Sequence, residues 1–348
     1  MTRVGIIGLG FMGMVHYLSY RKIPHVKVVA LCDRKAHRLD GDWTGIQGNF
    51  GPPGEQMDLS GVATYESWQD LLADPDVDLV DVTLPPAAHT EVAMEALQAG
   101  KHVFCEKPMA LNTQDCDLMM AASEATGKKL LIGHVLPFMP EYAWALQEIR
   151  SNKHGKLLGA SLKRVISDPA WLRHYWNAEM VGGPMLDLHV HDAHFLRLAF
   201  GMPTAVTTRG SQRNELPEHW HSLFDFKEKG VAVHSIGGVV NQPGRPFLHG
   251  FEIRLERATL VFEFAVLRNA EGIDEGRYLC PPTLLDNEGQ AQVVELGDGD
   301  PMQAFFNELQ HVDQVLRGDS EPDILSCQLA RDAIAICQME SASLLQNS

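Results

Sequence analysis

The chain has no Lys/Arg-rich run, no uninterrupted apolar stretch of membrane-spanning length, no C-x-x-C pair and no internal repeat. Each absence removes a class of protein. Asp and Glu outnumber Lys and Arg by 45 to 29, a formal charge of −16, and such a field repels nucleic acid and anionic membranes, so neither is expected as a partner. The six cysteines (Cys32, Cys105, Cys116, Cys280, Cys327 and Cys337) are scattered, which argues against a disulfide framework or a zinc knuckle and for reduced thiols. The first strand-like run starts within a few residues of Met1, leaving no space for the charged and apolar regions of a signal peptide, and a cytoplasmic location is expected. At 348 residues, 45% apolar and 21% charged, the chain reads as globular and long enough for two domains.

What is present is glycine at chosen places. An apolar run of strand type, Val4, Gly5, Ile6 and Ile7, leads into Gly8-Leu9-Gly10-Phe11-Met12-Gly13, after which Met14, Val15, His16, Tyr17 and Leu18 open a helix. In a dinucleotide-binding unit the first glycine makes the tight turn, the second lets the backbone approach a pyrophosphate, and the third lets helix pack on strand. Helix N-terminal amides then face the phosphate charge. Alone, G-x-G-x-x-G is weak, because ordinary loops also produce it. The context adds weight: a second apolar run over residues 26–32 ends in Asp33, twenty residues after Gly13. A carboxylate there accepts hydrogen bonds from the adenosine ribose and repels a 2′-phosphate, so NAD is expected over NADP, although Arg34 and Lys35 supply cations suited to a phosphate.

Residues 41–61 hold Gly45, Gly48, Gly51, Pro52, Pro53 and Gly54, a density that forbids a long helix or strand. They read as a surface insertion, with a flap over the adenine end of the cofactor or a subunit contact, anchored by Trp43, as the alternative. Beyond them a helical pattern over 65–72, a strand over 77–84, a helix over 90–100, a strand over 101–105, a helix over 111–126 and a strand over 129–133 alternate. Such alternation specifies an α/β fold with a doubly wound parallel sheet. Its ligands bind at the carboxyl ends of the strands, where residues 8–13, Asp33, Leu84, Pro85, Glu106, Lys107 and Pro108 gather. After residues 134–140 the pattern changes to helices over 141–151 and 184–200, a strand over 157–166, short strands from 205 to about 296, and helices over 302–316 and 328–345. This predicts a dinucleotide-binding domain over residues 1–130 and a second domain over 131–348, mainly sheet with flanking helices.

Glu106-Lys107-Pro108 follows a buried strand at the ligand edge. A lysine held beside a nicotinamide hydrogen-bonds a substrate hydroxyl and favours the alkoxide-like charge that develops as hydride leaves carbon. Taken alone, a Glu-Lys pair after a strand is more often a solvated turn. The second constellation spans residues 182–194. Pro184 suits a first helical turn, and Met185, Leu186, Leu188, Val190, Phe195, Leu196 and Leu198 surround the helix, so it is expected to be buried with its polar residues satisfied or functional. On one continuous helix Asp187, His191 and His194 share a face. A His of ordinary pKa, ~6.5, suits taking a hydroxyl proton, and a carboxylate one turn away orients it. Each His taken singly reads as a hydrogen-bonded core residue. The same residues have ligand chemistry but no zinc spacing, and no metal is expected. Trp171, Tyr175 and Trp176, with His134 and His194, are candidates for stacking on and hydrogen-bonding a sugar ring. Packing of the second domain is the equal alternative.

Together these residues resemble the Gfo/Idh/MocA oxidoreductases, named for glucose-fructose oxidoreductase, inositol dehydrogenase and a rhizopine-catabolism protein. The resemblance runs nearly the full length. It rests on the glycine turn, Asp33, the segment from Pro85 to His89, Ala99-Gly100-Lys101-His102-Val103 leading into Glu106-Lys107-Pro108, and the glycine-led helix with Asp187 and His191. It implies a Rossmann domain followed by a C-terminal α/β domain with an open, mostly antiparallel sheet for substrate binding and oligomerisation. It further implies a homodimer or homotetramer, acting on sugars, polyols or related hydroxy compounds with NAD(P). Carried over by motif, Lys107 positions the reacting hydroxyl, His191 is the acid/base and Asp187 its partner. Gly8, Gly10, Phe11, Met12, Gly13, Asp33, Arg34, Leu84, Pro85, His89, Glu106 and Lys107 hold the cofactor. The chain departs from the family pattern at Pro86, where Asn is common, at Pro137, where Arg is common, and at His194, where Asp is frequent. The expectation is an NAD-dependent dehydrogenase. The alternatives are a glycoside hydrolase or lyase that oxidises its sugar transiently with no net redox change, and a non-catalytic NAD-binding sensor, against which the presence of Lys107 and His191 stands.

Overall fold

The computed structural model describes residues 1–346 except 49, 170, 171, 173, 228, 229 and 298. The chain divides by packing into two compact units, Met1–Met139 with Gly299–Arg331, and Pro140–Asp298 with Asp332–Ser348. This differs from a single cut at residue 130: the last strand of the first sheet ends at Gly133, and a helix from the chain's C-terminal part returns to that unit.

The first unit alternates β1 (Thr2–Ile7), α1 (Phe11–Tyr20), β2 (Val26–Cys32), α2 (Ala36–Leu39), β3 (Ala63–Tyr65), α3 (Trp68–Ala73), β4 (Leu79–Val82), α4 (His89–Gln98), β5 (His102–Glu106), α5 (Thr113–Thr126) and β6 (Leu130–Gly133). The helical pattern over 65–72 is realised as α3, preceded by the short β3. All six strands are parallel, in the order β3-β2-β1-β4-β5-β6. Because helices cover both faces of such a sheet, its inner strands are mainly apolar: Val4, Ile6, Val80, Val82, Val103 and Phe104 are fully buried. The order reverses between β1 and β4, which opens a crevice for ligand at their carboxyl ends.

The Gly/Pro-rich segment lies mostly at the surface, as expected of an insertion, but is pinned into the core by a few side chains. Trp43, Ile46 and Met57 are buried in the first unit's core, the Trp43 indole donates to the Arg38 carbonyl at 2.9 Å, and its ring packs edge-on against Tyr17 of α1. Phe50 stacks on Phe305 with centroids 5.3 Å apart and meets Phe11 edge-on at 4.8 Å.

The second unit contains α6 (Pro140–Ser151), β7 (Leu157–Ser167), α7 (Ala178–Val181), α8 (Gly183–Asp187), α9 (Val190–Phe200), β8 (Ala205–Arg213), β9 (Leu216–Asp225), β10 (Ala232–Val240), β11 (Phe247–Leu255), β12 (Ala258–Arg268), β13 (Asp274–Asp286) and β14 (Ala291–Val293). Its eight strands run in the order β14-β13-β12-β11-β7-β10-β9-β8, antiparallel except for β7 with β10. Along β9, Trp220, Ser222 and Phe224 are buried while His221, Leu223 and Asp225 are exposed, the alternation of a sheet with one covered face.

One continuous helix over 184–200 is not what forms. The amides of Leu188 and His189 both donate to the Pro184 carbonyl, at 3.0 and 3.1 Å, a widened turn that separates α8 from α9. The shared-face argument for Asp187, His191 and His194 therefore does not hold: Asp187 closes α8 and His191 is the second residue of α9.

The chain ends with α10 (Pro301–Arg317) and α11 (Cys327–Gln346). Asp300 caps α10 by accepting the Met302 amide at 2.9 Å, and Phe305, Leu309, Val312 and Val315 bury its apolar face in the first unit. The same helix carries Glu308, fully buried, with neither carboxyl oxygen hydrogen-bonded. Burial, and then the nearby Glu106 charge, hold its pKa well above the ordinary range, so it is a neutral acid in the folded chain. A raised folded pKa favours the native state fully below the unfolded value and is lost as pH rises. Between the unfolded and the folded pKa the wild-type protein therefore loses stability as pH rises, by at most about 1.4 kcal/mol per pH unit through this group. Glu308→Gln is expected to flatten the stability curve by one proton, its advantage growing from pH 5 to pH 8; urea denaturation of both proteins across that range measures the difference.

Among the described residues no helix is long and apolar enough to cross a membrane, and all six cysteines are free.

Candidate active site

The glycine turn of the first unit meets three different demands. Gly8 has φ +102°, a left-handed conformation, and a Cβ there would lie 3.0 Å from the Thr83 carbonyl oxygen. A Cβ on Gly10 would meet nothing within 4 Å, leaving open space above the turn, whereas one on Gly13 would collide with the Gly8 carbonyl. Helix α1 starts after Gly10 without a side-chain cap or an acidic residue in its first turn, so its leading amides remain for an anion. Phe11 and Met12, the first residues of α1, are half-buried. Thr83, just past β4, donates to the Gly8 carbonyl at 2.6 Å and clamps the turn. Sequence reading missed Thr83, whose only signal was its place after the fourth strand.

Asp33, one residue past β2, is fastened to the same turn. One carboxylate oxygen accepts the Leu9 amide at 2.8 Å and the other accepts the Lys35 amide at 2.8 Å, while Arg38 approaches within 3.3 Å. Four lone-pair sites minus these three contacts leave acceptor capacity for a ribose hydroxyl. Arg38, also missed from sequence, is half-buried, and Arg34 is exposed. These residues fit a dinucleotide. Asp33→Ser is expected to weaken NAD binding about 10–100-fold, the equivalent of one or two charge-assisted hydrogen bonds, and to tighten NADP as Arg34, Lys35 and Arg38 lose their competing carboxylate. Titration of both reduced cofactors by fluorescence checks both halves.

At the carboxyl ends of β4 and β5, fully buried His89 ties two loops together, with Nε2 at 2.8 Å from the Leu84 carbonyl and Nδ1 at 2.8 Å from that of Pro108. Burial lowers its pKa and the two carbonyls partly restore it. It is placed as a brace behind the rim formed by half-buried Leu84 and exposed Pro85. The Lys107–Pro108 peptide is cis. Glu106 is mostly buried, its Oε2 accepting the Lys107 amide at 3.1 Å, while Lys107 is half-buried between buried neighbours. His134, a candidate substrate residue, lies inside the first unit with about 1% of its surface exposed.

In the second unit burial sorts the polar residues of α8 and α9. From Gly183 to Leu196 only Asp187 and His191 are half-exposed; His189, Asp192 and His194 are buried with the apolar residues around them. The buried ones belong to a polar core. Arg164 of β7 grips Asp192 with two hydrogen bonds, at 2.6 and 3.2 Å, and donates to the Tyr142 hydroxyl at 3.2 Å, which lies 3.1 Å from His249 Nδ1. Burial and then the guanidinium push the His249 pKa well down. His189 meets Glu340 of α11 at 2.7 Å; burial opposes its charge, but Glu340 outweighs it and raises the pKa. Arg164, Tyr142, His249 and Glu340 left no recognisable signal in the sequence. His194 is fully buried, and so is Tyr175 apart from about 3% of its surface. Trp176 donates to Asp168 at 3.1 Å under the Arg213 guanidinium, 4.2 Å from its ring. Trp171 lies outside the described residues. Among the described residues no three His, Cys, Asp or Glu side chains are grouped to hold a metal ion.

A doubly wound parallel sheet whose glycine turn is open to an anion and backed by an anchored carboxylate defines the class of the first unit, a dinucleotide-binding domain. Residues 2–134 match the family described as "Oxidoreductase family, NAD-binding Rossmann fold", and residues 142–261 match the "GFO/IDH/MocA C-terminal domain". The chain belongs to the Gfo/Idh/MocA family, and its first unit is the NAD-binding Rossmann domain. It is 35% identical over 159 residues to inositol 2-dehydrogenase/D-chiro-inositol 3-dehydrogenase of Lactiplantibacillus plantarum, covering 45% of this chain and 42% of that protein. It is 34% identical over 181 residues to 1,5-anhydro-D-fructose reductase of Ensifer adhaerens, covering 51% of each. The chain thus spans about half the length of these relatives. Among solved structures, aldose-aldose oxidoreductase from Caulobacter crescentus, complexed with glycerol, superposes with a TM-score of 0.76 at 19% identity, covering 100% of this chain and 98% of that one.

Proposed function

We propose that the protein is a dehydrogenase that uses NAD in preference to NADP to oxidise a CH–OH group of a sugar, polyol or related hydroxy compound. One observation carries this reading. Lys107 emerges half-exposed at the carboxyl end of β5, two strands from the glycine turn of β1, on a backbone fixed by Glu106. Bound NAD supplies the hydride acceptor. The chain contributes the rest: the Lys107 ammonium donates to the substrate hydroxyl oxygen and stabilises its developing negative charge, and His191 accepts the hydroxyl proton. Asp187 orients the His191 ring; like His191, it stays half-exposed where its polar neighbours are buried. The relatives' names put inositols and 1,5-anhydro sugars first among substrates to try. A homodimer or homotetramer and a cytoplasmic location belong to the same reading.

The test is the absorbance of reduced nicotinamide as purified protein and NAD meet inositols, anhydro sugars, other polyols and glycosides, with products analysed in parallel. Substrate-dependent net NADH supports the proposal. Product without net NADH, or no reaction across the panel in either direction, counts against it.

A further inference from the structure

One group of ionisable side chains in the first unit has no part in the proposed chemistry. His16 lies on α1, three residues past Gly13, and is fully buried. Its Nδ1 is 2.9 Å from Asp81 Oδ2 on β4, and its Nε2 is 3.2 Å from Glu106 Oε1 at the end of β5, an angled ion-pair contact. Among the described residues, the other titratable groups that act on Asp81 or Glu106 include Tyr20 of α1, Glu308 of α10, Cys105 of β5 and His89 of α4, with Lys107 next in the chain. The rings of Phe104 and Phe305 lie 5.7 and 6.1 Å from the imidazole. No water-exposed surface reaches the ring.

Two carboxylates facing two ring nitrogens constrain the proton count. A neutral imidazole has one N–H, so it would turn a lone pair toward one of the carboxylates in a low-dielectric pocket, whereas an imidazolium donates to Asp81 and sets its second N–H and its positive charge beside Glu106. Burial alone lowers the His16 pKa. The Asp81 charge and the contacts with Asp81 and Glu106 outweigh it and lift it to about 10. Burial also raises the Asp81 pKa, with His16 opposing. Glu106 then has one oxygen against His16 and the other on the Lys107 amide.

We propose that His16, as a buried imidazolium, is a positioning residue for Lys107, holding Glu106 so that its second oxygen fixes the Lys107 backbone. The inference rests on the role proposed for Lys107 and extends it: the helix that opens on the dinucleotide turn and the lysine loop share one charged rivet. A misplacement of about 1 Å at a reacting group lowers rate on the order of 10²-fold, so a residue buried behind Lys107 controls turnover without touching substrate.

The experiment uses the full chain loaded with NAD. In ¹⁵N-histidine-labelled protein, both His16 ring nitrogens are expected to show protonated shifts at pH 8 with no titration between pH 6 and 9; a neutral tautomer at pH 8 overturns the proposal. The signal is assigned by its loss in His16→Gln or, if that variant does not fold, by through-bond assignment in the wild-type protein. In kinetics, His16→Gln is expected to lower kcat about 10–100-fold with NADH affinity within about threefold of wild type. In a Glu106→Gln background the same change is expected to cost less than about threefold, because residues acting as one unit are non-additive. Additive losses, or equal losses of kcat and NADH affinity, overturn the proposal. Undiminished turnover in Lys107→Met overturns the role of Lys107 itself, whereas an inactive Lys107→Met beside a fully active His16→Gln overturns only the inference about His16.

Discussion

Lys107→Met is expected to bind NADH within about threefold of wild type and to lose on the order of 10²–10⁴ in kcat, the range for removing one pre-aimed charge or proton-handling group. Methionine keeps the length and apolar stem of lysine, and two interactions that hold this loop reach its backbone: the Lys107 amide on Glu106 and the Pro108 carbonyl on His89. The loop is therefore expected to stand while the ammonium is lost. The glycine turn, Thr83 and Asp33 are untouched, which is why cofactor affinity serves as the internal control. Lys107→Arg is not a conservative rescue, since a planar fork presents its donors differently from a compact ammonium, and it too is expected to lose most of the turnover. Fluorescence titration of NADH and initial rates on the best substrate measure both quantities. Turnover within tenfold of wild type would remove Lys107 from the reaction.

The parts of this protein that local chemistry dictates were legible in its sequence. A glycine that must adopt φ +102° and another whose Cβ would strike the Gly8 carbonyl leave a pattern no other residues reproduce, and the spacing to Asp33 follows from one strand-helix-strand unit. Parallel strands buried on both faces read as continuous apolar runs, so five of the six were visible; the three-residue edge strand β3, with Ala63 and Thr64 exposed, carries no such run. What depended on distant partners was not. Leu188 and His189 are not helix breakers; the widened turn between α8 and α9 lies where His189 meets Glu340 and Asp192 meets Arg164, 151 and 28 residues away along the chain. Gly and Pro density in residues 41–61 forbids regular structure but says nothing about burial, and Trp43 lies inside the core. Nor does an amphipathic pattern reveal which core it will join, as α10 shows by returning to the first unit. Spacing alone grouped His194 with Asp187 and His191; burial separates Asp187 and His191 from His194 as well as from His189 and Asp192.

That core carries the largest expected stability effect. Arg164→Met is expected to destabilise the protein by about 3–5 kcal/mol, because it removes the cation from a fully buried pair and leaves the Asp192 carboxylate with no countercharge of equal geometry. Methionine fills most of the volume of the arginine stem, so the loss reports on charge more than on a cavity. Two comparisons separate these causes. Arg164→Met with Asp192→Leu removes both charges and is expected to recover most of the lost stability, as paired removal of buried ions commonly does. Lowering the pH allows the stranded carboxyl to take up a proton, so the deficit of the single variant is expected to be larger at pH 8 than at pH 5, a slope absent from the double variant. Urea denaturation at the two pH values reads all three proteins. A deficit below about 1 kcal/mol at pH 8 would mean that neighbouring polar groups satisfy Asp192 without Arg164. The pair also sets the register of α9, since Asp192 follows His191 directly. The single variant, assayed at a temperature where it remains folded, is therefore expected to lose kcat as well, whereas a pair that served stability alone would leave kcat unchanged.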